Sequence, residues 1–589
     1  MKMKMRTTSR IAAPLCIAAT LAASSLQAVD ITLKRPYSRW LFGGLGFQNS
    51  EANLVPLMTD EFRDQFALKT FLEISPTFSR TVAGFEHQSK ESLDRFADFY
   101  DKTFRKAGTT LYVYPLAMPE NPDLIDRDEY AENVAQKLEY LVNKRNCRKI
   151  RWYCLTNELQ AGRQGRWFWT RMELFKEYCI ALWKAFRKHR LEIGIVATDI
   201  GTAFPYDIPN SIVWAKTNMG SFCDVYCGHW YFYGRNPADL TNWDYLNEHM
   251  DSFAKTAFSG GKRFILGEYG FNPHYRTPGG PMGQDTGYAV TRPDLAVSGA
   301  LLKAEIAMSA VNNGVYAAAS WSFCDFPDPF FHEPSDVPEE QVRHEAGLCA
   351  FNSDYKYNKW GCFRWNQHDN DYRAYPELYA VGHLVRLFRK GSTVLPCEQA
   401  DLAEIRADIP KTAIPIPCAD PRVMRASAIQ NEDGSVTVAL LNRGEDGRRV
   451  NILTDQFSKP VRRYDFDPEN VPENPFNDLQ PYSEVIKPGK DGTVSFTMAK
   501  NELTIITTDY KDVCPAAVKG VRVEAGLLKW DASESADHRY YRVYKGGKQI
   551  ASTVATSLKV QDASGDYAVR SVDKWLNVGE LSCRRQGGR

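Results

Sequence analysis

Between about residue 40 and residue 390, short apolar runs of β character alternate with longer stretches of helical period. Eight runs read as strands: 41–47, 77–85, 110–115, 149–155, 193–198, 223–231, 264–268 and 314–323. Between them, residues 92–107, 130–143, 169–189 and 294–312 place apolar side chains every three or four positions, the spacing of one helix face. A last helix over 376–389 stops at Lys390-Gly391. Strands that alternate with helices build parallel sheets, so the pattern predicts an α/β chain with a (β/α)8 TIM barrel and long loops over residues 29–392.

Beyond residue 392 the period changes. Ala426-Ser427-Ala428-Ile429 leads through Asn431-Glu432-Asp433-Gly434 into Val436-Thr437-Val438-Ala439-Leu440, which is strand, tight turn, strand. With further strands at 494–498 and 503–507, residues 393–511 read as a β-sandwich domain. A second small all-β sandwich occupies 512–589. There Trp530 precedes the alternating runs Tyr540-Tyr541-Arg542-Val543-Tyr544 and Tyr567-Ala568-Val569-Arg570, a pattern that resembles a fibronectin type III module. Residues 465–478 are rich in Asp, Glu, Pro and Asn. Their carboxylate spacing fits no standard calcium loop, and they read as a solvated loop.

The first 28 residues read as a secretory signal. Lys2, Lys4, Arg6 and Arg10 precede a short apolar run at 11–21, and Leu26-Gln27-Ala28 offers a cleavage site. Leu15 before Cys16 argues against a lipoprotein signal, and no other run is long enough to span a bilayer. A secreted or periplasmic protein is therefore expected. An oxidising compartment makes disulfides plausible, with Cys349–Cys362, Cys397–Cys418 and Cys514–Cys583 as candidate pairs. Cys154, Cys223, Cys227 and Cys324 lie in strand-like runs and read as buried thiols. No Cys-x-x-Cys pair exists, and neither a metal site nor a cofactor is expected. A net charge of +1 gives no electrostatic reason to expect nucleic acid or an acidic membrane as partner. Aromatic residues reach 12%, which fits sugar-stacking clefts and aromatic cores equally.

The candidate chemistry sits at strand ends. Glu158 closes Arg151-Trp152-Tyr153-Cys154-Leu155-Thr156-Asn157-Glu158, and Glu268 closes Phe264-Ile265-Leu266-Gly267-Glu268. A carboxyl group at the C-terminal end of a barrel strand is where such folds place reacting groups. Two of them are the pair that glycosidic cleavage requires. Thr156-Asn157-Glu158 resembles the fourth-strand Asn-Glu pair of clan A glycoside hydrolases, and Gly267-Glu268-Tyr269-Gly270 resembles their seventh-strand nucleophile motif. Phe78-Ser79-Arg80-Thr81-Val82, Cys227-Gly228-His229-Trp230-Tyr231 and Ala319-Ser320-Trp321-Ser322 resemble the clan's second, sixth and eighth strands. The resemblance covers the barrel as a pattern and singles out no family within the clan.

That resemblance implies Glu158 as general acid/base and Glu268 as nucleophile. It also implies Asn157 at the sugar 2-hydroxyl, Arg80 and Tyr231 on the nucleophile, His229 on substrate or acid/base, and Trp321 as the floor of the cleavage subsite. It implies retention through a glycosyl-enzyme, with carboxyl groups about 5–5.5 Å apart. One carboxyl must stay protonated near neutral pH, and an Arg and a Tyr beside the other are expected to hold its pKa low. Each residue has a plainer reading: a helix N-terminal or ion-pairing carboxylate for Glu158, a structural ion pair for Arg80, core packing for His229, Tyr231 and Trp321. Asp199 fits a sugar hydroxyl or a helix cap, and Trp167 and Trp169 fit sugar stacking or helix packing.

Gly43-Gly44-Leu45-Gly46 lacks the third glycine of a dinucleotide loop and reads as a place where the first strand approaches substrate. His344-Glu345 lacks the second His of a zinc protease helix, and no Gly-x-Ser-x-Gly elbow occurs. Long loops at 271–292 (His274, Tyr275, Arg276) and 325–373 (Phe330, Phe331, His332, Trp360, Trp365) are expected to shape a groove for a poly- or oligosaccharide. Sugar, linkage, endo or exo action and oligomeric state are not set by these patterns. Two other readings stand beside a secreted retaining β-glycoside hydrolase: a non-catalytic carbohydrate-binding protein on an inherited barrel, and an adhesion protein led by its sandwich domains. Deleting 512–589 is expected to spare catalysis under the first reading and remove the main activity under the last.

Overall fold

The strands predicted from the apolar runs close on themselves. In this computed structural model, Gly44–Asn49, Phe78–Val82, Thr110–Tyr114, Ile150–Tyr153, Gly194–Thr202, Cys223–Tyr233, Arg263–Asn272 and Ala317–Ser320 form a parallel barrel in sequence order. Closure comes where Gly44 pairs with Ala317. The structure describes residues 28–36, 41–49, 59–82, 89–115, 123, 125–160, 168–202, 205–233, 243–272, 293–324, 361–363, 372–399, 424–444 and 446–583.

Size complementarity fills the barrel. Phe78 and Tyr112 on the second and third strands face Ala317 and Ala319 on the eighth, with Val196, Val225, Cys227 and Ile265 between them. Helices cover the outside, several with one apolar face, while Pro376–Leu387 is buried on all sides. Arg127–Glu139 is capped by the Asp126 side chain, which accepts from the backbone N–H of Asp128 and Glu129. It buries Tyr130, Val134 and Leu138 at spacings of four, against Met172–Lys188. Burial of a Val or Leu side chain contributes about 1.5–3 kcal/mol, so this face rather than helix propensity holds the element in place.

The glycines of the first strand serve closure, not substrate. A Cβ on Gly46 would lie 1.7 Å from the Phe78 carbonyl oxygen, and one on Gly43 would lie 2.6 Å from the Tyr316 ring. Gly44 also has φ 112°, which L side chains rarely adopt. These residues start the first strand, at the barrel end opposite Glu158, so the expected approach to substrate is replaced by close strand packing.

Two sheets follow the barrel as a sandwich. One contains Thr393–Leu395, Met424–Gln430, Val436–Asn442, Leu503–Thr507, Val461–Phe466 and Glu484–Ile486. The other contains Cys397–Gln399, Arg448–Leu453, Val494–Met498 and, unexpectedly, Ala28–Leu33. Val29, Ile31 and Leu33 alternate inward, and the strand pairs in parallel with Arg448–Leu453. A barrel already closed by eight strands offers no edge to this segment; the sandwich does. The domain expected at 29–392 therefore starts after it.

The last unit packs Arg522–Glu524, Leu527–Lys529 and Ser557–Lys559 over Lys548–Thr553, His538–Lys545, Tyr567–Asp573 and Ser582–Cys583. Trp530 stands edge-on to Tyr541 in its core, ring centres 5.5 Å apart. It is docked on the barrel. Lys69 Nζ donates to Glu73 at 3.2 Å and to Asp478 at 2.9 Å, and Tyr540 OH donates to Glu73 at 2.7 Å. Arg542 Nε lies 3.2 Å from Asp478, so this largely buried cluster joins all three units. Asp478 is thus not part of a solvated loop. A second junction pairs Glu305 with Arg425 and Arg443, each at 3.0 Å.

Cys154, Cys223 and Cys227 are buried free thiols, and Cys324 is buried as well, as their strand positions implied. Cys397 and Cys514 are also free, so the candidate pairs Cys397–Cys418 and Cys514–Cys583 are not formed. Cys362 Sγ lies 3.8 Å from the Ser322 carbonyl and 3.7 Å from Glu377. Cys349 and Cys418 lie outside the described residues, as do residues 1–27 of the signal expected at 1–28 and His344-Glu345. Among the described residues no helix is long and apolar enough to cross a membrane.

Candidate active site

Each residue reaches the barrel mouth by a local device. In register across the first three strands, Gln48 pairs with Arg80 and Arg80 with Tyr112, so their side chains share a face. Tyr114 lies two residues beyond Tyr112 and points the same way. The Arg80 guanidinium stacks 3.7 Å from the Tyr114 ring centre and 5.1 Å from that of Tyr112. His229 and Tyr231 alternate by two on the sixth strand.

Two bulges aim the remaining groups. Ala197 pairs with Tyr226 and Ile200 with Gly228, three steps on the fifth strand against two on the sixth. Within that excess Thr198 has φ 71° and Asp199 φ 38°, both left-handed. On the seventh strand Gly267 is the extra residue, because Gly228 pairs with Leu266 and His229 with Glu268. A Cβ on Gly267 would lie 2.6 Å from Cys227 Sγ, so the bulge that turns Glu268 inward requires glycine. Glu158 follows the fourth strand with φ 50°. A Cβ on Gly201 would lie 2.1 Å from Glu158 Oε1, so the missing side chain there makes room for the carboxylate.

These devices converge on one network. Arg80 donates through Nη1 to Glu268 Oε1 and to Gln48 Oε1, and through Nη2 to Asn157 Oδ1 and Asp199 Oδ2, both at 2.7 Å. Tyr231 OH donates to Glu268 Oε2 at 2.5 Å. His229 Nδ1 lies 3.1 Å from Glu158 Oε1 and 3.3 Å from Glu268 Oε2, while its Nε2 lies 3.1 Å from Asp199 Oδ1. One carboxylate oxygen of Glu158 and one of Glu268 lie within 4.8 Å of each other. The two glutamates differ in access: the Glu158 side chain is 24% exposed and that of Glu268 3%.

Charge balance follows from burial and pairing. Burial works against a charged His229, yet Glu268 and Asp199 outweigh it and raise its pKa to about 10. Burial also works against an ionised Asp199, but Arg80 and His229 hold its carboxyl well below the usual range. Glu268 departs from expectation. Burial, its largest influence, raises its pKa above the usual carboxylate value, and Glu158 adds to the rise; His229, Arg80 and Tyr231 oppose it without reversing it. A metal has little to gain here. Asp199, Cys227 and His229, or Glu158, His229 and Glu268, bring donor atoms within 4.8 Å. Their oxygens, however, already face the cations of Arg80 and His229, and His229 holds a proton where a metal needs a lone pair.

The structure thus brings together Arg80, Asn157, Glu158, His229, Tyr231 and Glu268. Trp321 is partly buried, follows the eighth strand, and has its carbonyl held by Lys303 Nζ at 2.7 Å. Asp199 is neither a helix cap nor open to a sugar. Trp169 is 45% exposed, ahead of Met172–Lys188. Trp167 and the aromatic loop residues at 273–292 and 325–360, with Trp365, lie outside the described residues. Gln48, Tyr112 and Tyr114 were missed. The available signal was polar or hydroxyl-bearing residues two apart within otherwise apolar barrel strands.

No family profile matches the sequence, and no curated protein matches it. Solved structures do. The bacterial orthologue of human α-L-iduronidase aligns at 14% identity with a TM-score of 0.53, over 95% of this chain and all of its own. The catalytic domain of GH30 xylanase C from Talaromyces cellulolyticus aligns at 13% identity and TM-score 0.50, over 81% of this chain and 99% of its own. The chain has a glycoside hydrolase barrel fold. A conserved exported protein from Bacteroides fragilis shares this barrel fold at 10% identity and TM-score 0.52, over 81% of this chain and 100% of its own.

Proposed function

We propose that the chain is a retaining β-glycoside hydrolase of clan A that acts on a poly- or oligosaccharide. The observation that carries this reading is the meeting of Glu158 and Glu268 within 4.8 Å at the barrel mouth. A nearest-oxygen separation of this size fits the closer carboxyl spacing of retaining enzymes, in which one carboxylate attacks directly. Glu268, with Arg80 on one oxygen and Tyr231 and His229 on the other, is the nucleophile. These donors favour its ionised form against burial. Glu158, the more exposed of the two, protonates the leaving oxygen as the bond from the anomeric carbon breaks and the Glu268 ester forms. It then takes a proton from the water that displaces Glu268, restoring both groups.

In this reading Asn157 and Trp321 face the sugar, Arg80 and Tyr231 hold the nucleophile, and His229 serves substrate or acid/base, as the clan A resemblance implies. The signal pattern read at 1–28 supports a location outside the cytoplasm, and the strand pattern of 512–589 supports a fibronectin type III-like module. The test is a panel of aryl β-glycosides, aryl α-L-iduronide and plant and algal polysaccharides, with Glu268→Ala as the blank. Turnover by the native protein that the variant lacks supports the proposal. Carbohydrate binding without turnover would favour a non-catalytic barrel.

A further inference from the structure

We propose that Asp199 is a positioning residue for the two glutamates: it grips His229 Nε2 so that the opposite nitrogen lies as a donor between Glu158 and Glu268. This rests on the glycosidase reading. Asp199 has no surface exposed, and each of its oxygens meets a fixed donor. Oδ1 faces Tyr112 OH at 2.6 Å and His229 Nε2 at 3.1 Å, and Oδ2 faces Arg80 Nη2 at 2.7 Å. Nothing is left to reach a sugar. A residue that sits on left-handed backbone within a bulge and spends both oxygens on neighbours is acting through those neighbours.

What it acts on is the proton of His229. That ring faces carboxylates with both nitrogens, so it satisfies them only as the imidazolium, donating to Asp199 on one side and to Glu158 and Glu268 on the other. The titratable and charged groups around it are Arg80 from the second strand, Tyr112 and Tyr114 from the third, and Cys154 and Glu158 from the fourth and its end. Asp199 comes from the fifth, Cys227 and Tyr231 from its own strand, and Glu268 from the seventh. Without the Asp199 charge, the ring loses the partner that does not change charge during the reaction. It then sheds its proton at lower pH, and the shared donor between the glutamates is lost.

Asp199→Asn tests this by the pH titration of the His229 ring in 15N spectra, because Glu158 as general acid already sets the alkaline limb of kcat. In the native protein the ring should keep both protons until near pH 10. In the variant that titration should move down by about 1–3 pH units, the effect of one close opposite charge. At the optimum kcat should fall about 10²-fold, the loss expected from misplacing a reacting group by about 1 Å, with KM changed far less. Asp199→Glu, which restores the charge, should bring the His229 titration back. An Asp199→Asn variant with an unmoved His229 titration overturns the proposal. Should Asp199→Asn not fold, 15N spectra of the native protein decide: one histidine, assigned by its absence in His229→Gln, must carry protons on both ring nitrogens at pH 8. A neutral His229 overturns the proposal. Because that spectrum needs no substrate, an imidazolium in a protein that cleaves no glycoside would sink the glycosidase reading and leave the Asp199 geometry standing.

Discussion

The barrel mouth and the junction of the three domains each bury a cluster of charges, and the clusters are built alike. Each has one carboxylate held below its usual pKa by two cations, Asp199 by Arg80 and His229, and Asp478 by Lys69 and Arg542, in both cases against burial. Each has a second carboxylate that burial pushes up, Glu268 and Glu73, and each gives that carboxylate a tyrosine donor, Tyr231 and Tyr540. What differs is access. Lys69 and Glu73 are sealed at 0% side-chain exposure, whereas the mouth carries an additional carboxylate, Glu158, that is 24% exposed. Perturbed ionisation alone therefore does not mark a catalytic site. Under the proposed function, what sets the mouth apart is a second acid that solvent can reach, close to the first.

Replacement of Glu268 should separate the clusters most sharply. Glu268→Gln should lower kcat on the order of 10⁴–10⁶-fold, the range seen when a nucleophile is removed, with the unfolding transition nearly in place. Asp478→Ala should do the reverse. Stranding Lys69 and Arg542 in the junction should cost about 3–5 kcal/mol in denaturant titration, while activity per folded molecule stays native.

The junction also predicts a pH signature. Asp478 has a folded pKa below its ordinary value, so its contribution to stability is present above 3.8 and is lost as pH falls through the lower folded value. Asp478→Asn should remove that acid limb from melting temperature plotted against pH. Glu73, with a raised folded pKa, has the opposite sign: its contribution is complete below 4.5 and fades as pH rises through its folded value.

A smaller change at the mouth sharpens the comparison from the other side. Gly201→Ala puts a methyl where Glu158 Oε1 lies, and should lower kcat about 10–100-fold with little loss of stability. Smallest of all, Arg127→Ala breaks an ion pair with Glu177 whose side chains are 47% and 49% exposed. It should change stability by about 0–1 kcal/mol and leave activity unchanged.

What could be read from the sequence divides along the same line. The eight strands were legible because burial on both faces makes barrel strands continuously apolar, and Glu158, Glu268, Arg80, His229 and Tyr231 stand out as polar residues at their ends. Asp199 was visible but ambiguous, since its role is created by a bulge that no residue pattern announces. The junction was illegible. Lys69 and Glu73 at helical spacing look like a surface pair, and Asp478 sits in an acidic, Pro-rich stretch; only the docking of Tyr540 and Arg542 buries them. For that reason deletion of 512–589, expected from sequence to spare catalysis, should instead unmask Glu73 and Asp478 and destabilise the barrel. Ala28–Leu33 was unassigned to the sandwich because its partner strand lies some four hundred residues away.

The central claim is that Glu158 and Glu268 act in turn on one anomeric carbon from opposite faces of the sugar. Azide added to the two alanine variants tests it directly, with an activated aryl β-glycoside as substrate. Glu268→Ala should release the glycosyl azide of inverted configuration after one displacement, and Glu158→Ala the azide of retained configuration after two. The same configuration from both variants, or no azide product from either while both still cleave substrate, would contradict it.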